Sequence, residues 1–130
     1  MEVHTLVDVL EAISDSKSLE IFREVAKGSS VESKELKQKD GFGKKQYYIR
    51  TQKLLNSGIV KRVKGKFSLT NFGTVVYHAA LIMEAGINNY WKLKAIDSIE
   101  DSGQIMENER IKLIQTILDG STIENILVKQ

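Results

Sequence analysis

The stretch that most constrains this chain runs from Gly43 to Thr70 and reads GKKQYYIRTQKLLNSGIVKRVKGKFSLT. Tyr47, Thr51, Leu54 and Leu55 recur at i, i+4, i+7 and i+8, the spacing of one buried face on a helix. Lys44, Lys45, Tyr48, Gln52 and Lys53 fall largely on the opposite side. The spacing predicts a helix from Gly43 or Lys44 to Ser57, and Gly58 supplies the left-handed residue that ends it. Ile59 and Val60 then open a β-branched run to Val63. Lys64-Gly65 can reverse that strand into a second, Lys66 to Thr70, with Phe67 and Leu69 at period two. A basic amphipathic helix is thus followed at once by a short basic hairpin.

Charge is concentrated on that segment. The net charge of +2 over 130 residues conceals eleven basic residues against Glu35 and Asp40 between Lys34 and Lys66, a local balance of +9, so the remainder carries −7. A protein that docks one face on a polyanion shows such segregation, because each lysine or arginine near a phosphate releases condensed counterions. A lysine-rich surface that does no more than solvate the fold is the bland alternative.

Leu54, Ser57-Gly58-Ile59-Val60, Lys61-Arg62, a glycine at the hairpin tip and Phe67-Ser68-Leu69-Thr70 resemble the recognition helix and wing of winged helix-turn-helix transcriptional regulators. Thr70-Asn71-Phe72-Gly73 matches the "leucine-threonine, two residues, glycine" start of the following helix in such proteins. Lys45-Gln46-Tyr47-Tyr48, with Phe72-Gly73 and Val75-Val76-Tyr77, is similar to a group of small archaeal regulators of this kind. The resemblance covers Leu19 to Tyr77 well and the C-terminal third loosely. It implies a mostly α (α+β) fold: a winged helix-turn-helix with a two-stranded wing and additional N- and C-terminal helices.

Thr5 is expected to cap a first helix to about Ser14, with Leu6, Val9, Leu10 and Ile13 as its apolar stripe, packed on the C-terminal helices or on a second subunit. After a break at Asp15-Ser16-Lys17, Leu19, Phe22, Val25 and Ala26 predict a helix from Ser18 to Lys27 that ends at Gly28. Ser29 to Val31 reads as an extended connection with a bridge to the wing, Ser33 to Lys39 as a brief helix, Asp40-Gly41 as a turn and Phe42 as a core plug. From Asn71 a long helix is expected to reach about Ile99, with Phe72, Val76, Ala79, Met83, Gly86, Tyr90 and Leu93 as a heptad seam. Gly86 to Asn89 offers a place for it to bend or break. Further helices are predicted up to Leu118 and after Ser121, where Ser121 and Glu124 match a capping box. The expected division is 1–17 as an N-terminal helix, 18–72 as the winged-helix domain and 73–130 as a helical dimerisation region.

Each candidate residue takes its role from position. Lys44, Lys45, Tyr48, Ile49 and Gln52 are the candidate base contacts: Gln52 for an adenine edge, the lysines for guanine or phosphate, Tyr48 or Ile49 for a thymine methyl. Ile49 is either a base contact or part of the core through a rotated helix. Arg50, Lys53, Lys61, Arg62, Lys64 and Lys66 are the candidate phosphate contacts, with Lys64 or Lys66 able to enter a minor groove. Val76, Ala79, Met83, Tyr90, Trp91 and Leu93 are the candidate dimer interface. Packing of the long helix within one chain is the alternative to that interface.

The chain contains no cysteine, which excludes disulfides and thiolate chemistry, and its two histidines, His4 and His78, have no partner at metal-ligand spacing. No phosphate-cradling glycine loop, nucleophile with a base, or paired carboxylates suggest catalysis. No apolar run approaches the roughly 20 residues that span a bilayer, and acidic residues interrupt the start of the chain. The expected partners are therefore double-stranded DNA and a second copy of the chain, with no cofactor, metal or membrane, in the cytoplasm. The alternative function is a protein-interaction or architectural chromatin module without sequence-specific DNA readout.

Overall fold

The structure is a computed structural model that describes residues 5–28, 31–32 and 44–128. It is mostly helical with one small antiparallel sheet, an α+β arrangement, and its residues fall into two compact units, Met1–Tyr77 and His78–Gln130. The expected helix from Ser33 to Lys39, the Asp40-Gly41 turn, Phe42, Lys34, Lys37 and Lys39, as well as His4, lie outside the described residues.

In the first unit, helix α1 (Leu6–Ala12) starts in a capping box: the Thr5 hydroxyl accepts from the Asp8 amide at 3.1 Å, and the Asp8 carboxylate accepts from the Thr5 amide at 3.2 Å. Helix α2 spans Ser16–Lys27. The break expected at Asp15 to Lys17 is in fact its start, because the Asp15 carboxylate accepts from the Ser18 amide at 2.9 Å as an N-cap. Only Ile13 to Asp15 separate the two helices, and α1 packs into the core of the first unit against the helix Lys44–Asn56. Val9, Ala12 and Ile13 join Ile21, Phe22 and Val25 in one core, while Leu6 and Leu10 face outward. Helix α1 was expected on the C-terminal helices or on a second subunit; its Val9, Ala12 and Ile13 are instead covered by the core of the first unit.

Helix α3 (Lys44–Asn56) buries Thr51 and Leu54 and half-buries Tyr47 and Leu55, the face its spacing predicts. Thr51 satisfies its hydroxyl by donating to the Tyr47 carbonyl at 3.0 Å, so a polar residue costs little there. Gly58, at φ 81°, turns the chain into strand β2 (Val60–Val63), which pairs with β3 (Lys66–Leu69) in the register Val60↔Leu69 to Val63↔Lys66. A two-residue strand, β1 (Val31–Glu32), pairs with the other edge of β3 through Val31↔Phe67. The sheet therefore has three strands in the order β1-β3-β2, the two-stranded hairpin joined by the bridge expected at Val31. Phe67 and Ile59 close the core, and Phe22 meets Tyr77 edge-on at 6.1 Å between ring centroids.

Helix α4 (Asn71–Asn88) begins in the first unit and ends in the second. The long helix expected to reach Ile99 is divided at Asn89, which sits at φ −110°, ψ 19° and donates its side-chain amide to the Ala85 carbonyl at 2.8 Å. That bond competes for the carbonyl of the preceding turn, and α5 (Tyr90–Asp101) starts anew. Helices α6 (Glu107–Ile117) and α7 (Glu124–Val128) complete the second unit, whose core is Ile96, Ile114, Leu118 and Ile123. The Ser121 hydroxyl accepts from the Ile123 amide at 3.3 Å, a turn bond rather than the expected capping-box bond to Glu124. Arg110 joins three segments by donating to the Glu100 carboxylate and to the Leu127 carbonyl, the latter at 3.4 Å, with Glu107 3.7 Å away.

Candidate nucleic-acid interface

The basic residues that the sequence singled out lie on two adjoining elements of the first unit, α3 and the β2–β3 hairpin. Lys45, Tyr48, Ile49 and Gln52 follow one another at i, i+3, i+4 and i+7 on the open side of α3, with Lys53 and Asn56 beside them. Tyr48 is 64% exposed and Ile49 43% exposed, so the alternative in which Ile49 turns into the core is not realised. Gln52 is half-buried. Lys44 opens the helix, and its side chain lies outside the described residues.

In the hairpin, Lys61, Arg62, Lys64 and Lys66 are all exposed. Strand pairing sorts them. Lys61 and Lys66 share the outward face with Val63 and Ser68, whereas Arg62 is on the face of Val60, Phe67 and Leu69. Arg62 reaches across its partner there, with its guanidinium carbon 5.7 Å from the centre of the Phe67 ring. Lys64 at φ 54° and Gly65 at φ 77° both adopt positive φ, as a two-residue turn with the twist of the flanking strands requires. Glycine meets this at no steric cost, while Lys64 holds a left-handed conformation that few residues favour. The turn thereby carries a cation at the tip of the hairpin.

Arg50, a candidate phosphate contact, is engaged within the first unit. Its Nε donates to Asp15 Oδ1 at 3.0 Å, and its Nη1 donates to the Gln46 side-chain oxygen. Its side chain is 23% exposed, and it stands at the junction of α3 with the start of α2 rather than on the open face. Lys53 keeps its open position but also lies 3.9 Å from Asp15 Oδ2. Asp15 is thus an N-cap and an ion-pair partner together. Partial burial pushes its carboxyl pKa up, but the Ser18 amide, the Ser18 hydroxyl at 2.8 Å and the Arg50 guanidinium outweigh this and lower it from 3.8 to about 2.

Asp15 was legible as a helix cap, since an aspartate immediately before a helix start is a favoured N-cap. Its partner was not, because Arg50 lies 35 residues away in the chain.

No family model matches the sequence, and neither a curated protein nor a solved structure was found to match it. Among the described residues, no group of three or more histidine, aspartate or glutamate side chains could hold a metal ion, and no helix is long and apolar enough to cross a membrane.

Of the six residues expected at a dimer interface, Ala79, Met83, Tyr90 and Trp91 are exposed. Val76 packs on the first core and Leu93 on the second, and both are half-buried. Trp91 is 78% exposed and meets Tyr90 edge-on at 5.3 Å. Ile87, one turn before Trp91, is open as well.

Proposed function

We propose that residues 18–72 form a winged helix-turn-helix domain and that the protein binds duplex DNA as a homodimeric transcriptional regulator in the cytoplasm, acting by binding rather than by catalysis. One observation carries this reading. Lys45, Lys53, Lys61, Lys64 and Lys66 are exposed on one helix and the hairpin that follows it, and two apolar side chains, Tyr48 and Ile49, are open among them. Phosphates reward the lysines through counterion release, and base edges with thymine methyl groups reward the apolar pair. A surface meant only for water has a use for the first feature and none for the second.

In this reading α3 enters a major groove. Lys45 and Gln52 bond base edges together with Lys44, while Tyr48 and Ile49 make apolar base contacts. Lys53, Lys61, Arg62, Lys64 and Lys66 hold phosphates, with the Lys64 tip directed at the adjacent minor groove. Met83, Tyr90 and Trp91 pair with a second copy, which sets two half-sites about one helical turn apart.

The test is fluorescence anisotropy on a labelled random duplex and on a duplex selected by the protein from a random pool, from about 50 to 200 mM salt. A steep salt slope with a preference that survives at the upper end supports a sequence-specific regulator. Steep binding without preference assigns an architectural role. No binding at low salt moves the assignment to a protein-interaction module.

A further inference from the structure

We infer that Asp15 is a positioning residue for the DNA-reading helix: through Arg50 it fixes the rotation of α3 on α2, so that an acidic side chain is required for sequence-selective binding of a polyanion. This rests on the DNA-binding reading above and deepens it.

Three observations converge on the contact. Asp15 is anchored at the first turn of α2 by two bonds from Ser18, at 2.9 Å from the amide and 2.8 Å from the hydroxyl, and Ser18 is fully buried. The same carboxylate receives Arg50 Nε at 3.0 Å, and the Arg50 guanidinium is held from its other side by Gln46, one turn earlier on α3. Arg50 lies on the helix between buried Thr51 and exposed Ile49, so its direction sets which side chains of α3 face outward. A planar guanidinium held at two edges resists rotation, which a lysine at the same place would not. Arg50 is accordingly withdrawn from the phosphate contacts its charge suggests.

The consequence runs against simple electrostatics. Removing a negative charge from a surface that binds phosphates ordinarily tightens binding. If Asp15 positions α3, its loss leaves random-duplex binding equal or tighter while the preference for the selected duplex falls. The partly exposed character of the pair sets the loss at about fivefold.

The experiment compares wild type, Asp15→Asn, Asp15→Ser, Arg50→Gln and the Asp15→Asn/Arg50→Gln double variant. Each is measured by anisotropy on the random and the selected duplex, and by amide hydrogen exchange of α3 without DNA. Asp15→Ser retains a capping oxygen without the charge, which separates the ion pair from the cap. The expected result is an equal loss of preference in each single variant and no further loss in the double variant, with an unchanged salt slope and faster exchange along α3. Two results would overturn the inference. One is tighter binding of both duplexes by Asp15→Asn with a steeper salt slope, which would make Arg50 or Lys53 a phosphate contact that Asp15 restrains. The other is α3 exchange at the wild-type rate in every variant. Failure of the wild type to bind either duplex, with α3 exchange still faster in the variants, would instead overturn the DNA reading and with it the functional part of this inference.

Discussion

Gly73 lies against the backbone of Ile59: a Cβ at this position would stand 2.8 Å from the Ile59 carbonyl carbon and overlap its oxygen. Three residues earlier, Thr70 donates its amide to the same Ile59 carbonyl at 3.2 Å, and its hydroxyl accepts from the Gly73 amide at 2.8 Å. The threonine caps α4 and ties it to the turn before the hairpin, and the missing side chain of Gly73 lets the helix approach. This gives a physical reason for a threonine and a glycine at that spacing after a β-hairpin.

Gly73→Ala is therefore expected to lower stability by about 2 kcal/mol, because backbone rather than a flexible side chain has to shift. Thr70→Ala should cost about 1 kcal/mol through the lost cap. Gly86 lies in the same helix with nothing within 4 Å of an added Cβ, and Gly86→Ala should stabilise by about 0.5–1 kcal/mol through helix propensity. Urea denaturation followed by circular dichroism checks all three. A midpoint unchanged in Gly73→Ala would mean that α4 does not need its close approach.

Asp15 makes part of the stability dependent on pH. Its folded pKa of about 2 lies below the ordinary 3.8, so its contribution is fully present above pH 3.8 and is lost as pH falls toward 2. The difference in urea midpoint between wild type and Asp15→Asn should be constant near neutral pH and should close across that window. A difference that is already the same at pH 2 as at pH 7 would assign the stabilisation to packing rather than to the charge.

Tyr48 and Ile49 are expected to separate binding from folding. Each is exposed, so Tyr48→Ala and Ile49→Ala should change stability by no more than about 0.5 kcal/mol. Both should weaken binding of the selected duplex more than of the random one. Lys64→Ala should weaken both alike and reduce the salt slope by about 1, as the loss of one phosphate contact requires. Equal effects of all three substitutions on the two duplexes would remove the base-reading assignment.

Trp91 is the only tryptophan, which makes its fluorescence a direct report on the proposed pairing of two copies. Its emission should shift to shorter wavelength as protein concentration rises, and light scattering should give twice the 14.7 kDa chain mass. Met83→Lys with Trp91→Lys should restore the single-chain mass without loss of helicity, since both side chains are exposed. An emission maximum independent of concentration, with a single-chain mass throughout, would refute the dimer.

The sequence by itself determined the local elements and much of which side faces inward. The helix of Lys44 to Asn56, the hairpin with its Lys64-Gly65 turn, and the buried roles of Thr51, Leu54 and Phe67 all follow from spacing and turn chemistry, which are properties of neighbouring residues. The helix break at Asn89 fell in a segment whose composition marked it. Tertiary structure decided the rest, because the deciding partners are distant in the chain. Arg50 looks in the sequence like the other arginines and lysines of the segment, and its meeting with Asp15 across 35 residues is visible only in the packed chain. Val76 and Leu93 are indistinguishable from Met83 and Tyr90 in a heptad pattern, until two separate cores claim the first pair and leave the second exposed. The burial of α1 against α3 in the first core likewise depends on which surfaces meet. Periodicity states that a residue must be covered; only the packed chain states by what.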